Sequence, residues 1–169
     1  MILTKTEILK EIKKGSIKIE PFDVNAIGPA SIDLTLDNQI RVFHKEKKSI
    51  EIKEEIDYKK HAKLIKLDKK GYILKPGELV LGITKEKLTL PENICGWLNS
   101  RSKFARVGLM SHITAPFIAP GISNHQVLEI YNSGKEYLKL IPNTKICSLV
   151  LQECKGKAKY KGKFKDQNL

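Results

Sequence analysis

The sequence predicts a mainly β chain, a barrel or sandwich, with one short helix at its N-terminus. Three observations carry this. Apolar and polar residues alternate through most of the chain, Pro and Gly interrupt the alternation at short intervals, and helical spacing is clear only near the start.

The elements follow in order. Thr4 and Glu7 form a Thr-x-x-Glu capping box ahead of Ile8, Leu9 and Ile12 at helical spacing, and Gly15 can stop that helix. "SIKIEPF" then alternates as a strand does, and so does "SIDLTLDNQIRVF", with Ile32, Leu34 and Leu36 on one face. Residues 45–70, rich in Lys and Glu, read as an exposed excursion with short strands. "GYILKPGELVLGITKEKLTLPENICGWL" resumes strands, broken at Pro76-Gly77 and Pro91. "HQVLEIYNSG" and "KICSLVLQE" read as core strands. The expected organisation is one β domain over 1–154 and a tail over 155–169. In the tail, Lys155, Lys157, Lys159, Lys161, Lys163 and Lys165 recur at every second position. By itself such a tail is expected to be disordered, and to become ordered over a polyphosphate.

A chain of 169 residues with 41% hydrophobic content is long enough for a real core. Its net charge of +12 favours anionic partners without choosing between nucleic acid and nucleotide. An odd set of cysteines, Cys95, Cys147 and Cys154, with no secretory pattern in "MILTKTEILKEI", sets the expectation of a reducing cytoplasm. No apolar run approaches ~18 residues, so no membrane span is expected.

For chemistry, a zinc deaminase needs H-x-E followed by P-C-x-x-C. His44-Lys45-Glu46 meets the first half alone, and no zinc set is found. Walker and Rossmann glycine patterns are absent. Ser102 and His112 are a nearby hydroxyl and imidazole and no more. "NSRSKFARVGLMSHITAPF" gathers Arg101, Ser102, Lys103 and Arg106, cations beside a hydroxyl that suit a phosphorylated partner. Glu129 is the unusual carboxylate. In a strand it shares a face with Val127 and Tyr131, and Leu128 and Ile130 take the other. There it is expected to lose water and move toward a useful acid/base range. Equally, it could serve a structural ion pair with Arg101 or Arg106. Only Tyr160 and Phe164 interleave aromatics with the basic residues, so a nucleic-acid module is the lesser reading.

"GWLNSRSKFARVGLMSHITA" followed by "PGISNHQVLEIYNSG" resembles the dCTP deaminases of the dUTPase superfamily. The matching residues are Arg101-Ser102, Ala105-Arg106, Gly108-Leu109, His112-x-Thr114-Ala115, Pro120-Gly121 and Leu128-Glu129. "GPASIDLTLDNQIRVF" and "LKPGELVLGIT" resemble the family's earlier strands. The resemblance implies a distorted jelly-roll or β-barrel fold of the dUTPase-like type. It implies a homotrimer with active sites at subunit interfaces. The reaction implied is zinc-independent hydrolysis of dCTP to dUTP and ammonia, with Mg2+ bound through the triphosphate. dTTP is a possible feedback inhibitor. By the same carry-over Glu129 is the general acid/base, Arg106 positions it with help from Ser102, and Arg101, Ser102 and Lys103 meet phosphate oxygens. Val127 and Leu128 read the cytosine edge through their backbone, Ala115 sits where the family needs a small residue near the reacting carbon, and Thr114 is among the nucleotide-binding residues. Lys159, Tyr160 and Lys163 belong to a tail segment that closes over the triphosphate. Four positions depart from the family pattern: Ala119 for aspartate, Lys103 for serine, Asn124 for glycine and Lys163 for glutamine. A family tyrosine between Glu153 and Ala158 is also missing. Ala119 argues against efficient dUTP hydrolysis. The alternatives are a bifunctional deaminase releasing dUMP and pyrophosphate, and a non-catalytic nucleotide or nucleic-acid binder on the same fold.

Overall fold

The computed structural model describes residues 1–44 and 49–169. Lys45 and Glu46 of the H-x-E match lie outside the described residues. The N-terminal helix α1 (Lys5–Lys13) buries Ile8 completely, and Gly15 at φ +75° ends it in the left-handed region that glycine enters without cost. The expected capping box does not form. Thr4 takes the N-cap position without a side-chain cap bond, and Glu7 pairs with Lys10 instead.

The strands are β1 (Lys18–Glu20), β2 (Ile32–Phe43), β3 (Ala62–Lys66), β4 (Tyr72–Leu74), β5 (Leu79–Thr89), β6 (Ile94–Ser100), β7 (Leu109–Met110), β8 (Phe117–Ile118), β9 (Ser123–Asn132), β10 (Leu138–Leu140) and β11 (Lys145–Glu153). Nine of them form one curled sheet in the order β7-β9-β5-β2-β11-β6-β8, with β1 added on β5 and β3 on β2, while β10 and β4 pair separately. β2 is the pivot. Its first residues pair with β11, its later ones with β5 and β3, and the register shifts between Leu36 and Ile40 where it turns from one neighbour to the other. The curl closes over one core in which Leu34, Leu36, Ile40, Val80, Leu128, Ile130, Leu149 and Leu151 have no exposure. Each contributes about 2 kcal/mol by leaving water.

A four-residue helix α2 (Ser102–Ala105) interrupts the β pattern directly after β6. Its exit needs Gly108, at φ +85°, where an added Cβ would lie 2.5 Å from the Gly134 N.

The tail corrects an expectation. It is not disordered by itself but packs along its own chain. The Ala158 N–H donates to Glu92 O at 2.8 Å and the Tyr160 N–H to Pro120 O at 3.1 Å. The alternating lysines all face solvent, which keeps their mutual repulsion screened by water. The residues between and after them supply the contacts. Tyr160 packs on the core, and Leu169 is buried against Leu81 and Ile83.

Candidate active site

β9 builds the site through its free edge. β5 accompanies β9 on one side, whereas on the other only Tyr131 and Asn132 have a strand partner, in β7. In an antiparallel pair the N–H and C=O of a residue point to the same side, and successive residues alternate. The Gln126 N–H turns toward β5 and donates to Thr84 Oγ1 at 2.9 Å. The Glu129 N–H turns the other way, to His112 Nδ1 at 3.3 Å, and the His125 C=O accepts from Gln167 Nε2 at 2.8 Å on that side. By this alternation Val127 offers a donor and an acceptor side by side on the open edge. The amide groups of Leu128 face β5, so only Val127 of the two can read a base edge through its backbone.

The loop between β7 and β8 covers the start of that edge. The Ser111 N–H donates to Ser100 Oγ at 2.9 Å, and the Leu98 N–H to Pro116 O at 2.8 Å, so both ends of the loop are tied to β6. Between these anchors, Thr114 donates to Glu129 Oε2 twice, from its N–H at 2.7 Å and its Oγ1 at 2.8 Å. Both donors fall on one carboxylate oxygen, which fixes the side chain and leaves Oε1 for other partners. Glu129 is half-buried with Val127 and Tyr131, and Leu128 and Ile130 are fully buried on the opposite face, as the alternation predicts. Because His112 Nδ1 accepts from Glu129, the ring proton of the neutral form resides on Nε2. That atom is buried with no hydrogen-bond partner among the described residues.

The cleft at this edge has a volume of about 540 Å³, within the range of small-molecule sites. Its apolar lining includes Leu79, Leu81, Val127, Ile118, Ala119 and Ile122. The polar groups that reach it include Glu129, Thr114, His112, Asn124, Gln126 and Tyr160. The tail closes one end. Asn124 Nδ2 donates to Phe164 O at 2.9 Å and Lys165 O at 3.2 Å, and the Tyr58 hydroxyl donates to Asn168 O at 3.1 Å.

The structure thus brings Glu129, Thr114, Ala115, Val127 and Tyr160 to one cleft. Lys159 and Lys163 stand exposed on the tail beside it. Leu128 is fully buried in the core and does not line the cleft. Arg101, Ser102, Lys103 and Arg106 do not line the cleft of their own chain. Arg101 is held by Asp33, Nη2 to Oδ2 at 2.7 Å, and by Lys145 O at 2.7 Å. Ser102, Lys103 and Arg106 are exposed on and just after α2, and Lys103 Nζ lies 4.9 Å from the Phe104 ring centroid. Within one chain, then, no arginine pairs with Glu129, and Thr114 holds it instead.

Sequence reasoning missed Asn124, Gln126, Tyr58 and Gln167 as parts of the cleft. A signal for the first two was present. They share the face of Leu128 and Ile130, where amides are out of place unless they bind something.

Thiol chemistry is disfavoured. Burial pushes up the Cys147 thiol, helped by the nearby charges of Glu86 and Asp33. Burial and the adjacent Cys154 thiol push Cys95 up to about 11. Among the described residues no group of three or more His, Cys, Asp or Glu is placed to hold a metal ion.

Comparison with known proteins bears on this geometry. The family model described as dCTP deaminase-like matches residues 2–154. A dCTP deaminase of Alteromonas mediterranea is 38% identical over 96% of this chain and 92% of its own length. A dUMP-forming dCTP deaminase of Corynebacterium glutamicum is also 38% identical, over 89% of this chain and 80% of its own. The crystal structure of 2′-deoxycytidine 5′-triphosphate deaminase from Agrobacterium tumefaciens superposes with a TM-score of 0.70 at 20% identity, covering 89% of this chain. This chain spans about half, 48%, of that longer one, and at such identity the likeness is one of fold. With its sequence matched nearly end to end and its β architecture shared, this chain belongs to the dCTP deaminase-like family.

Proposed function

We propose that the protein hydrolyses the exocyclic amine of dCTP, giving dUTP and ammonia, with Glu129 as the general acid/base. The observation that carries this reading is the placement of Glu129. Its Oε2 is fixed by both donors of Thr114, and the open Val127 edge lies two residues away on the same side of the strand. The cytosine edge pairs with the Val127 N–H and C=O, which brings C4 toward the carboxylate. Glu129 takes a proton from the attacking water as its oxygen bonds to C4. It passes that proton to N3, then takes the second from the new C4 hydroxyl and gives it to the leaving amine, so that ammonia departs as the C4 carbonyl forms. Ala115 leaves room at that carbon.

The triphosphate extends toward the tail, where Lys159 and Lys163 donate to its oxygens and Tyr160 closes the cleft. Mg2+ enters with the triphosphate, and the lysines beside it are suited to phosphate rather than to the metal. Ser102, Lys103 and Arg106 are exposed and turned away from their own cleft, which supports a homotrimer in which α2 serves the cleft of a neighbouring copy. There Arg106 positions Glu129, and Ser102 and Lys103 meet phosphate. Arg101, held by Asp33, fixes the start of α2 and reaches phosphate only if that pair opens. A cytoplasmic location and feedback by dTTP fit the same reading.

The test is ammonia release from dCTP with Mg2+, with the products separated. dUTP supports this reading, and no ammonia refutes it. Relatives named as dUMP-forming favour a second outcome, dUMP with pyrophosphate. The apolar Ala119 in the cleft wall weighs against it, because that position offers no carboxylate for a second water.

A further inference from the structure

We propose that Gln126 reads the 3′-hydroxyl of the substrate's deoxyribose, and that the tail sets the direction of its amide through Asn124. The inference rests on the deaminase reading above. Gln126 is 6% exposed and Asn124 likewise 6%, yet both border the cleft. Their orientations are not free choices. Asn124 meets two backbone carbonyls, Phe164 O at 2.9 Å and Lys165 O at 3.2 Å, and carbonyls only accept. The Asn124 NH2 must therefore face the tail, which leaves its Oδ1 facing Gln126. Gln126 Nε2 donates to that oxygen at 2.7 Å. The Gln126 Oε1 is then the end of the chain. It has no partner among the described residues, and it is not one of the sealed unpartnered atoms, which are Arg41 Nε and His112 Nε2. It is a neutral acceptor of fixed direction, open to the cleft.

A neutral acceptor selects a neutral donor, an O–H or N–H. The nucleoside of dCTP has two such groups, the 4-amino group and the 3′-hydroxyl. The amine is committed to Glu129, three residues further along β9, roughly 10 Å away at ~3.3 Å per residue. The hydroxyl remains. Ala119 also lines the cleft and brings no polar side-chain group to it. An analogue lacking the hydroxyl leaves Oε1 desolvated and unpaired, which is the arrangement that gives strong discrimination.

The experiment compares kcat/KM for dCTP and 2′,3′-dideoxy-CTP, together with calorimetric binding of both nucleotides with Mg2+. The unsubstituted protein is expected to prefer dCTP by ~10-fold or more, and Gln126→Leu to bring the two within ~2-fold. Asn124→Gly, which releases the Gln126 amide and also the Phe164 and Lys165 carbonyls of the tail, is expected to lower the preference itself, a ratio that loosening of the tail alone does not move. Equal handling of both nucleotides by the unsubstituted protein overturns the inference. So does a Gln126→Leu protein that loses both activities equally, since that marks a packing role. If no ammonia is released from dCTP the deaminase reading fails separately. The binding preference then still decides the inference, and binding without preference, or no binding, overturns it.

Discussion

Glu129→Gln exchanges a base for a donor at almost constant shape, and the structure fixes how it does so. The Thr114 N–H can only donate, at 2.7 Å, and its hydroxyl donates to the same oxygen at 2.8 Å. A glutamine at 129 must turn its carbonyl to Thr114, so its NH2 faces the cleft where a water would be activated. Two charge-assisted bonds become neutral ones, a loss of about 1–2 kcal/mol in stability, partly offset because an ion no longer has to be desolvated. The chemical step loses its proton carrier, which general acid–base catalysis values at ~100-fold or more. The assay is ammonia release at saturating dCTP, with dCTP binding by calorimetry and thermal unfolding alongside. Binding is expected to survive and the unfolding temperature to shift by only a few degrees. A variant that binds dCTP and still turns it over within ~10-fold of the parent would refute Glu129 as the proton carrier.

Three other outcomes are expected. Deleting residues 155–169 removes no strand, since β11 ends at Glu153, but it removes the Tyr160 and Leu169 packing. The sheet signal in circular dichroism should persist with a stability loss of about 2–4 kcal/mol, and KM for dCTP should rise several-fold; an unchanged KM removes the closing role of the tail. Gly108→Ala places a Cβ 2.5 Å from Gly134 N at a φ of +85°, and should cost about 3 kcal/mol or more in urea denaturation. Cys95 keeps its proton to about 11 in the folded chain against an ordinary value of 9.0. The unfolded chain loses that proton first as pH rises, so stability contributed by the neutral thiol declines between those two values. Cys95→Ser should flatten the fall in the denaturation midpoint over that window relative to the parent, and parallel curves would contradict it.

The strands were legible because alternation reports a half-buried sheet directly. "KICSLVLQE" forms β11 from its first residue to its last, and Ile32, Leu34 and Leu36 fall on the buried face as read. α2 was not legible, because four residues are too few for a period to register and "RSKFAR" reads equally as a basic loop. Neither bond of the Thr4 box is made: Thr4 has no side-chain cap bond, and Glu7 has a lysine one turn away to pair with. Within the cleft, Glu129 stood out as a carboxylate in an apolar strand. Its holder, Thr114, is fifteen residues back, and no local pattern joins the two. The tail was misread because its lysines dominate its composition, whereas a few side chains between and beyond them decide its packing. The split between the cleft and α2 concerns which side of the sheet edge each segment takes, and spacing along the chain carries no such information.

The open edge of β9 also has a consequence for solubility. A row of outward amides can pair with the edge of another strand, and unprotected edges of this kind seed aggregation. The β7–β8 loop meets it at Glu129 and the tail at His125, and all six lysines of the tail repeat are exposed. Those like charges disfavour the approach of the same segment of a second copy. A run of exposed lysines on the segment that covers a free backbone edge therefore works against edge-to-edge pairing between copies, as charges on exposed edge strands do.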